Sequence, residues 1–558
     1  MIRIQTKNSR LAILAVGFFS MLLAMSLTAC GGSASSASSA AESAASEAAS
    51  AASEAASEAA SAASEAASEA ASAASAAAES ASSAASEAAE STAPAEAKTQ
   101  SGTVTTTIDM TKYDQGKVVR VWVPVATDGD YQTVTDDAIV ADSATTAQMN
   151  EDAAGNKMAY IEWDAAADPA SRIATVSFHA TRTEALRPEI KEEGEVPADI
   201  AKTFLGSSKM VAADDPEVVA LAQEITKDQA TYEGKARAVY DWIYENMERD
   251  NDVVGCGDGD VCRLISEDQR AGKCTDINSM FVALCRAAGV PATEMFGIRM
   301  NADDITGNQH CWCEFYVPGT GWVPADPADV LKAVLNDQLD KASDEALAKK
   351  EYYWGQWDEK RVEYSQGRDL TLEPAQAGAE LNDFGYPYAE VDGEVIDFYK
   401  PAEFVYSIAF VSDAAAEAKA YASGIEVKDT EVEKQNMAAD DLLKAIEDQD
   451  DSIIIVDLRN ADDVKASTIE GSIAASMQKA VEEGDYVDAV ANLAYALKGA
   501  TGSETGADKK IVLMCYTGNK YAQAATNALN AMGADMANVF TLEGGAKGWA
   551  EAGKPMTS

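Results

Sequence analysis

At 558 residues the chain is too long for one hydrophobic core, and at roughly 100–200 residues per domain it should divide into three or four units. Aspartate and glutamate number 92 against 44 lysines and arginines, and the net charge of −48 argues against nucleic acid or an anionic membrane surface as a partner, because phosphates repel such a surface. Eight cysteines are too few for a disulfide scaffold of this length, so each needs its own account.

Met1–Arg10 carries Arg3, Lys7 and Arg10 and no acid, and Leu11–Met25 is free of charge. A run of about fifteen residues is short for a membrane span, which takes about 20, and suits a signal-peptide core. It ends in Leu27-Thr28-Ala29-Cys30-Gly31-Gly32, which resembles the lipobox of bacterial lipoproteins. The resemblance implies removal of residues 1–29, diacylation of Cys30 and anchoring at the extracytoplasmic face of a membrane, where two acyl chains hold as one would not. The alternative is a plain secretory signal with an incidental cysteine; both readings export the protein. Residues 30–97 then form an Ala/Ser/Glu-rich stalk. Glu47, Glu54, Glu58, Glu65 and Glu69 alternate seven and four apart, a spacing that keeps them on one helical stripe. With no large apolar side chain to bury, the segment reads as solvated; fully helical, it would reach on the order of 95 Å.

Residues 98–210 read as a β domain. Val119, Val121 and Val123 alternate, and Met158–Trp163 and Ile173–His179 are similarly β-rich. His179, one of only two histidines, has no carboxylate or thiol motif near it in sequence and is assigned a structural part. Helical spacing begins at Asp215-Pro216 and runs through Glu217–Thr226 and Tyr232–Met247.

The most informative stretch follows. Gly272-Lys273-Cys274-Thr275-Asp276 opens a helix whose apolar face is Ile277, Phe281, Leu284, Cys285 and Ala288, and Gly289-Val290-Pro291 ends it. Cys274 therefore sits where unpaired amides and the helix dipole favour a thiolate. His310–Val317 is a strand with His310, Trp312 and Glu314 on one face and Cys311, Cys313 and Phe315 on the other. Gly321–Ala325 is a second strand, and a hairpin would bring Asp326 alongside His310. Cys274 would supply the nucleophile, His310 would take and return its proton, and Asp326 would orient the imidazole. These blocks, with Trp322, Tyr352-Tyr353-Trp354-Gly355 and Gly367-Arg368-Asp369-Leu370, resemble the transglutaminase-like superfamily over residues 211–412. The resemblance implies a papain-like α+β core and acyl transfer through a thioester on Cys274, as in the superfamily's cysteine proteases and amidases. Cys274 as a buried structural thiol, or a zinc site from Cys256, Cys262, Cys274 and His310, are the rival readings; no recognised ligand spacing supports the second. Cys256 and Cys262 could close a small disulfide loop, and Cys285, Cys311 and Cys313 read as core.

After an Ala- and charge-rich linker at 413–431, strands alternate with helices, which indicates an α/β domain with a parallel sheet over 432–558. Val456-Asp457-Leu458-Arg459, Ile469-x-Gly471, Cys515–Lys520 and Gly544-Gly545 through Trp549 to Pro555 resemble a rhodanese domain. In that family a loop, here Tyr516, Thr517, Gly518, Asn519 and Lys520, aims backbone amides at the cysteine sulfur, so Cys515 would carry a persulfide. Lys520 stands where many members have arginine, and Thr468 where a histidine is common. The expectation is thus a multidomain, lipid-anchored, extracytoplasmic thiol enzyme acting on a protein or peptide, without cofactor, metal or nucleic acid. A binding or scaffold protein built on these folds, and a sulfurtransferase or redox relay at Cys515, are the alternatives.

Overall fold

The computed structural model describes residues 97–266, 270–428 and 431–557. The lipobox with Cys30 and the stalk as far as residue 96 lie outside them. Among the described residues no helix is long and apolar enough to cross a membrane.

The first strands are β1 (Thr99–Asp109), β2 (Val119–Val125), β3 (Gln132–Val140), β4 (Thr146–Glu151), β5 (Lys157–Trp163) and β6 (Ile173–Thr183). Their alternation buries Val104 and Ile108 of β1 against Ala174, Val176 and Phe178 of β6. They do not close a domain by themselves. The sandwich is completed by β11 (Tyr388–Val391), β12 (Glu394–Ile396) and β13 (Val405–Ser412), in sheets ordered β13-β1-β6-β3 and β12-β11-β2-β5-β4. The expected boundaries at 98–210 and 211–412 therefore cut across both sheets. Residues 388–412 belong to the β layer because β1 and β2 would otherwise expose edge hydrogen bonds.

Between these strands runs the α+β core. Helices α1 (Pro216–Thr226) and α2 (Tyr232–Asn246) pack on α3 (Cys274–Ala287). Behind α3 stands an antiparallel sheet ordered β9-β8-β7-β10, built from β7 (Ala292–Arg299), β8 (Gln309–Val317), β9 (Gly321–Ala325) and β10 (Arg361–Gln366). Helix α4 (Pro327–Asn336) follows β9 directly. The expected amphipathic α3 is buried all round from Cys274 to Cys285. Its polar positions are satisfied internally: Asn278 Nδ2 donates to Cys311 O at 2.8 Å, and Ser279 Oγ to Glu294 Oε1 at 2.7 Å.

The segment expected to be a linker is largely a helix, α5 (Asp413–Ser423), capped by Ser412 Oγ, which accepts the Ala415 amide at 3.1 Å. Ala418 and Ala422 are buried against α6 (Tyr486–Thr501), so α5 belongs to the C-terminal core. Alanine makes the surface flat enough for close approach while leaving the sequence looking solvated. The parallel sheet beyond it is ordered β14-β18-β17-β15-β16, from β14 (Gln435–Met437), β15 (Ile453–Asp457), β16 (Ile473–Ala474), β17 (Lys510–Met514) and β18 (Val539–Leu542). His179 has a carboxylate after all: its Nε2 lies 2.9 Å from Asp413 Oδ1, at the start of α5.

Candidate active site

Cys274 is the first residue of α3 and is 3% exposed. Asp276 fixes the helix start, its carboxylate accepting the Lys273 amide at 3.0 Å and the Gly259 amide at 3.0 Å. The loop carrying Cys256 wraps this turn so closely that a Cβ on Gly257, at φ +90°, would fall 2.0 Å from Asp276 Oδ2. The Cys256 carbonyl accepts the Thr275 amide at 2.9 Å, which pins the loop to the residue after Cys274.

β8 and β9 bring the other two residues in. Cys313 pairs with Ala325, so Asp326 emerges one residue past β9, beside His310 near the start of β8. His310 Nε2 lies 2.8 Å from Asp326 Oδ2, which leaves Nδ1 as the ring nitrogen available to Cys274, and the two side chains are hydrogen-bonded. Hydrogen bonds from Cys256, then Cys311, with His310 in support, outweigh burial and hold the Cys274 thiol well below its ordinary value. Cys256 and Cys311 move the opposite way, so of the three neighbouring thiols Cys274 is the one that ionises. Burial would raise the Asp326 carboxyl, but His310 and Arg361 more than offset it and keep it below the usual carboxylate range.

A buried ion cluster stands behind His310. Asp326 also caps α4, its Oδ1 accepting the Asp329 amide at 3.1 Å. Arg361 places Nη1 2.8 Å from Asp326 Oδ2 and Nη2 3.0 Å from Asp329 Oδ2, and also binds Asp358. Arg299 binds Asp329 and lies 3.5 Å from Asp358. Three carboxylates thus face two guanidiniums, and positive charge developing on His310 meets a net negative cluster. His310, Asp326 and Asp329 offer atoms within 4.8 Å of one another, a metal-like spacing. Their carboxylates are already committed to the two guanidiniums, whose charge a cation would have to face.

The structure does not assemble the rival zinc set. Cys256 adjoins Cys274, but the Cys262 thiol hydrogen-bonds Asp215, and both Cys256 and Cys262 are free thiols rather than a disulfide. Cys285 and Cys313 are core residues as expected. Cys311 is core as well, yet also touches Cys274. The wall beyond Cys256 is aromatic: Tyr386 Oη donates to Cys256 Sγ at 3.2 Å and its ring stacks on Phe398 at 4.9 Å.

In the C-terminal unit, Cys515 immediately follows β17 and is 2% exposed. Tyr516–Asn519 turn sharply, with Gly518 at φ +72°, into α7 (Lys520–Met532), and Lys520 is exposed. A Cβ on Gly545, at φ +58°, would lie 2.2 Å from Cys515 O, so glycine is needed where the next helix seats against the loop. Among the described residues the amides of Thr517, Gly518 and Asn519 donate to no protein acceptor. Thr468 Oγ1 donates to buried Asp457 at 2.8 Å, an architectural contact.

The family model described as Transglutaminase-like superfamily matches residues 219–327, which hold Cys274, His310 and Asp326 together. An uncharacterized protein of Haemophilus influenzae is 33% identical over 329 residues, 54% of this chain and 89% of its own length. The chain belongs to the transglutaminase-like superfamily. This transglutaminase-like protein also carries a rhodanese-like domain, whose family model matches residues 438–552. The uncharacterized Bacillus subtilis protein YebA is 28% identical over 143 residues, 22% of this chain and 19% of that one. Among solved structures, a chain from Cytophaga hutchinsonii provisionally named a cysteine protease has 17% identity and a TM-score of 0.35, covering 57% of this chain and 99% of its own. A rhodanese-related protein from Thermoplasma volcanium has 24% identity and a TM-score of 0.16, covering 22% of this chain and 97% of its own.

Proposed function

We propose that this transglutaminase-like protein is an extracytoplasmic, lipid-anchored thiol acyltransferase that hydrolyses peptide or amide bonds through a thioester on Cys274. The observation that carries the reading is the buried array in which a helix-start thiol, held ionised, meets a histidine whose other nitrogen is fixed by a carboxylate. Cys274 attacks the acyl carbon, His310 protonates the leaving amine and then takes a proton from the incoming water, and Asp326 keeps the ring oriented. The test is labelling of the whole protein with an acyl-type covalent inhibitor, the adduct being mapped. Cys274→Ala abolishes the adduct, and Asp326→Asn slows its formation by about 10³–10⁴-fold with the fold intact. Undiminished labelling of Cys274→Ala at another residue would refute the assignment.

A second reading concerns the rhodanese-like domain. The amides around Cys515 that lack protein acceptors suit a sulfur anion, which supports a persulfide carried there. Thiosulfate followed by cyanide should then release thiocyanate from the whole protein but not from Cys515→Ala. Absence of both turnover and a persulfide mass shift would leave the domain as a binding module.

A further inference from the structure

Asp329, Lys332 and Leu335 stand three apart on α4 and so share one face of it. Asp329 belongs to the ion cluster behind His310, and Leu335 lines a cavity of about 680 Å³ together with Arg249, Arg263 and Ala271. Lys332 stands between the two. Glu248-Arg249 pairs in parallel with Ala271-Gly272, the residues that lead through Lys273 into α3, so Arg249 flanks the approach to Cys274. Asn251 Nδ2 donates to Asn336 Oδ1 at 3.2 Å and ties the Arg249 loop to the end of α4.

The charges gathered there are cationic. Arg249 Nε donates to the neutral Asn251 Oδ1 at 2.8 Å, and among the described residues its guanidinium has no carboxylate partner. Arg299 is held by Asp329 and Asp358, and Arg263 by Asp258 and Asp276. Burial pushes the Lys332 ammonium down to about 8, the Arg299 and Arg249 charges push it the same way, and the Cys274 and Cys256 sulfurs act against them. Lys332 thus lies within electrostatic reach of both Arg249 and the Cys274 thiolate. Asp250 and Asp252 line the cavity too, where Asp250 Oδ1 accepts the Asp252 amide at 2.9 Å, but neither is among the charges that act most on Lys332.

We propose that Arg249 and Lys332 bind a carboxylate of the substrate, so that the protein selects peptides or amides carrying an anionic group beside the scissile bond. The inference rests on the acyl-transfer reading above and names the substrate class for it. In the resting protein the thiolate is the anion that these cations face. When its sulfur–carbon bond forms and the carbon–nitrogen bond breaks, the amine leaves with the His310 proton and the sulfur becomes a neutral thioester. A bound carboxylate then supplies the counter-charge that the sulfur has given up. A chain of net charge −48 repels an anionic peptide elsewhere, so two cations beside the thiol also set where it lands.

The test begins with alkylation of Cys274 in the whole protein by anionic iodoacetate and by neutral iodoacetamide. Both reagents consume the same thiolate, so a change in its reactivity cancels in the ratio of the two rates. Arg249→Gln and Lys332→Met should each lower the iodoacetate-to-iodoacetamide ratio by about tenfold, and Lys332→Arg should keep it. A ratio that neither substitution moves overturns the proposal. Acylation then locates the charge: mono-p-nitrophenyl glutarate carries it on the acyl side and para-acetoxybenzoate on the leaving side. The ester whose rate falls about tenfold in the two variants, relative to p-nitrophenyl acetate, names the side, and a fall for neither overturns the substrate assignment. If the alkylation ratio responds but no ester acylates Cys274 even in the wild-type protein, the acyl-transfer reading falls while the anion site stands.

Discussion

Arg361 lies fully buried with one amino group on Asp326 and the other shared by Asp329 and Asp358, and its ring-facing side rests 5.3 Å from Trp312. Arg361→Met should destabilise the protein by about 3–5 kcal/mol, because it leaves carboxylates buried without a counter-charge. Urea unfolding measures this, and a loss below about 1 kcal/mol would mean the cluster rearranges freely. Titration gives a second check. The folded Cys274 thiol is depressed, so its contribution is present above the ordinary thiol value of about 8.5 and is lost as pH falls through the folded value. Alkylation mapped to Cys274 should therefore stay fast into mildly acidic buffer, and a midpoint near that of free cysteine would contradict the geometry. Asp326 is depressed too, so its share of stability is full above about pH 4 and is lost only in stronger acid. Cys274, His310 and Asp326 could be read from sequence because each lies at an end of a strongly patterned element. Arg361 and Asp329 could not, since only the tertiary packing shows what each side chain faces.

At the scale of elements, the sheet and helix of the Cys274 site follow from local periodicity, and the errors fall where pairing is distant. β11 to β13 look like the tail of the catalytic core, yet β13 pairs with β1 over some three hundred residues, as Gly102 with Ser412. Such contacts leave no periodic trace that links the two strands. α5 misleads for a different reason. Its alanines read as linker, but Ala418 and Ala422 are filled into the C-terminal core. A fragment of residues 413–558 should thus be more stable than one of residues 432–558, by about 1–3 kcal/mol for the apolar area that α5 covers. Thermal unfolding of the two decides it, and equal midpoints would show α5 to be a passive connector.

For the whole molecule, the acidic composition and the proposed lipid anchor carry separate expectations. A net charge of −48 disfavours binding to anionic headgroups, so under the proposed anchoring any membrane attachment should depend on lipid alone. Cys30→Ser should release the protein into the soluble fraction on cell fractionation; unchanged membrane association would mean that another segment holds it. The described part begins and ends its β layer at neighbouring strands, because β1 lies between β13 and β6 and is antiparallel to both. Tension entering at Lys98 therefore runs along a central strand rather than peeling an edge. It loads two ladders of hydrogen bonds in shear, so under the proposed anchoring the folded body should resist being pulled open where the chain enters it at β1.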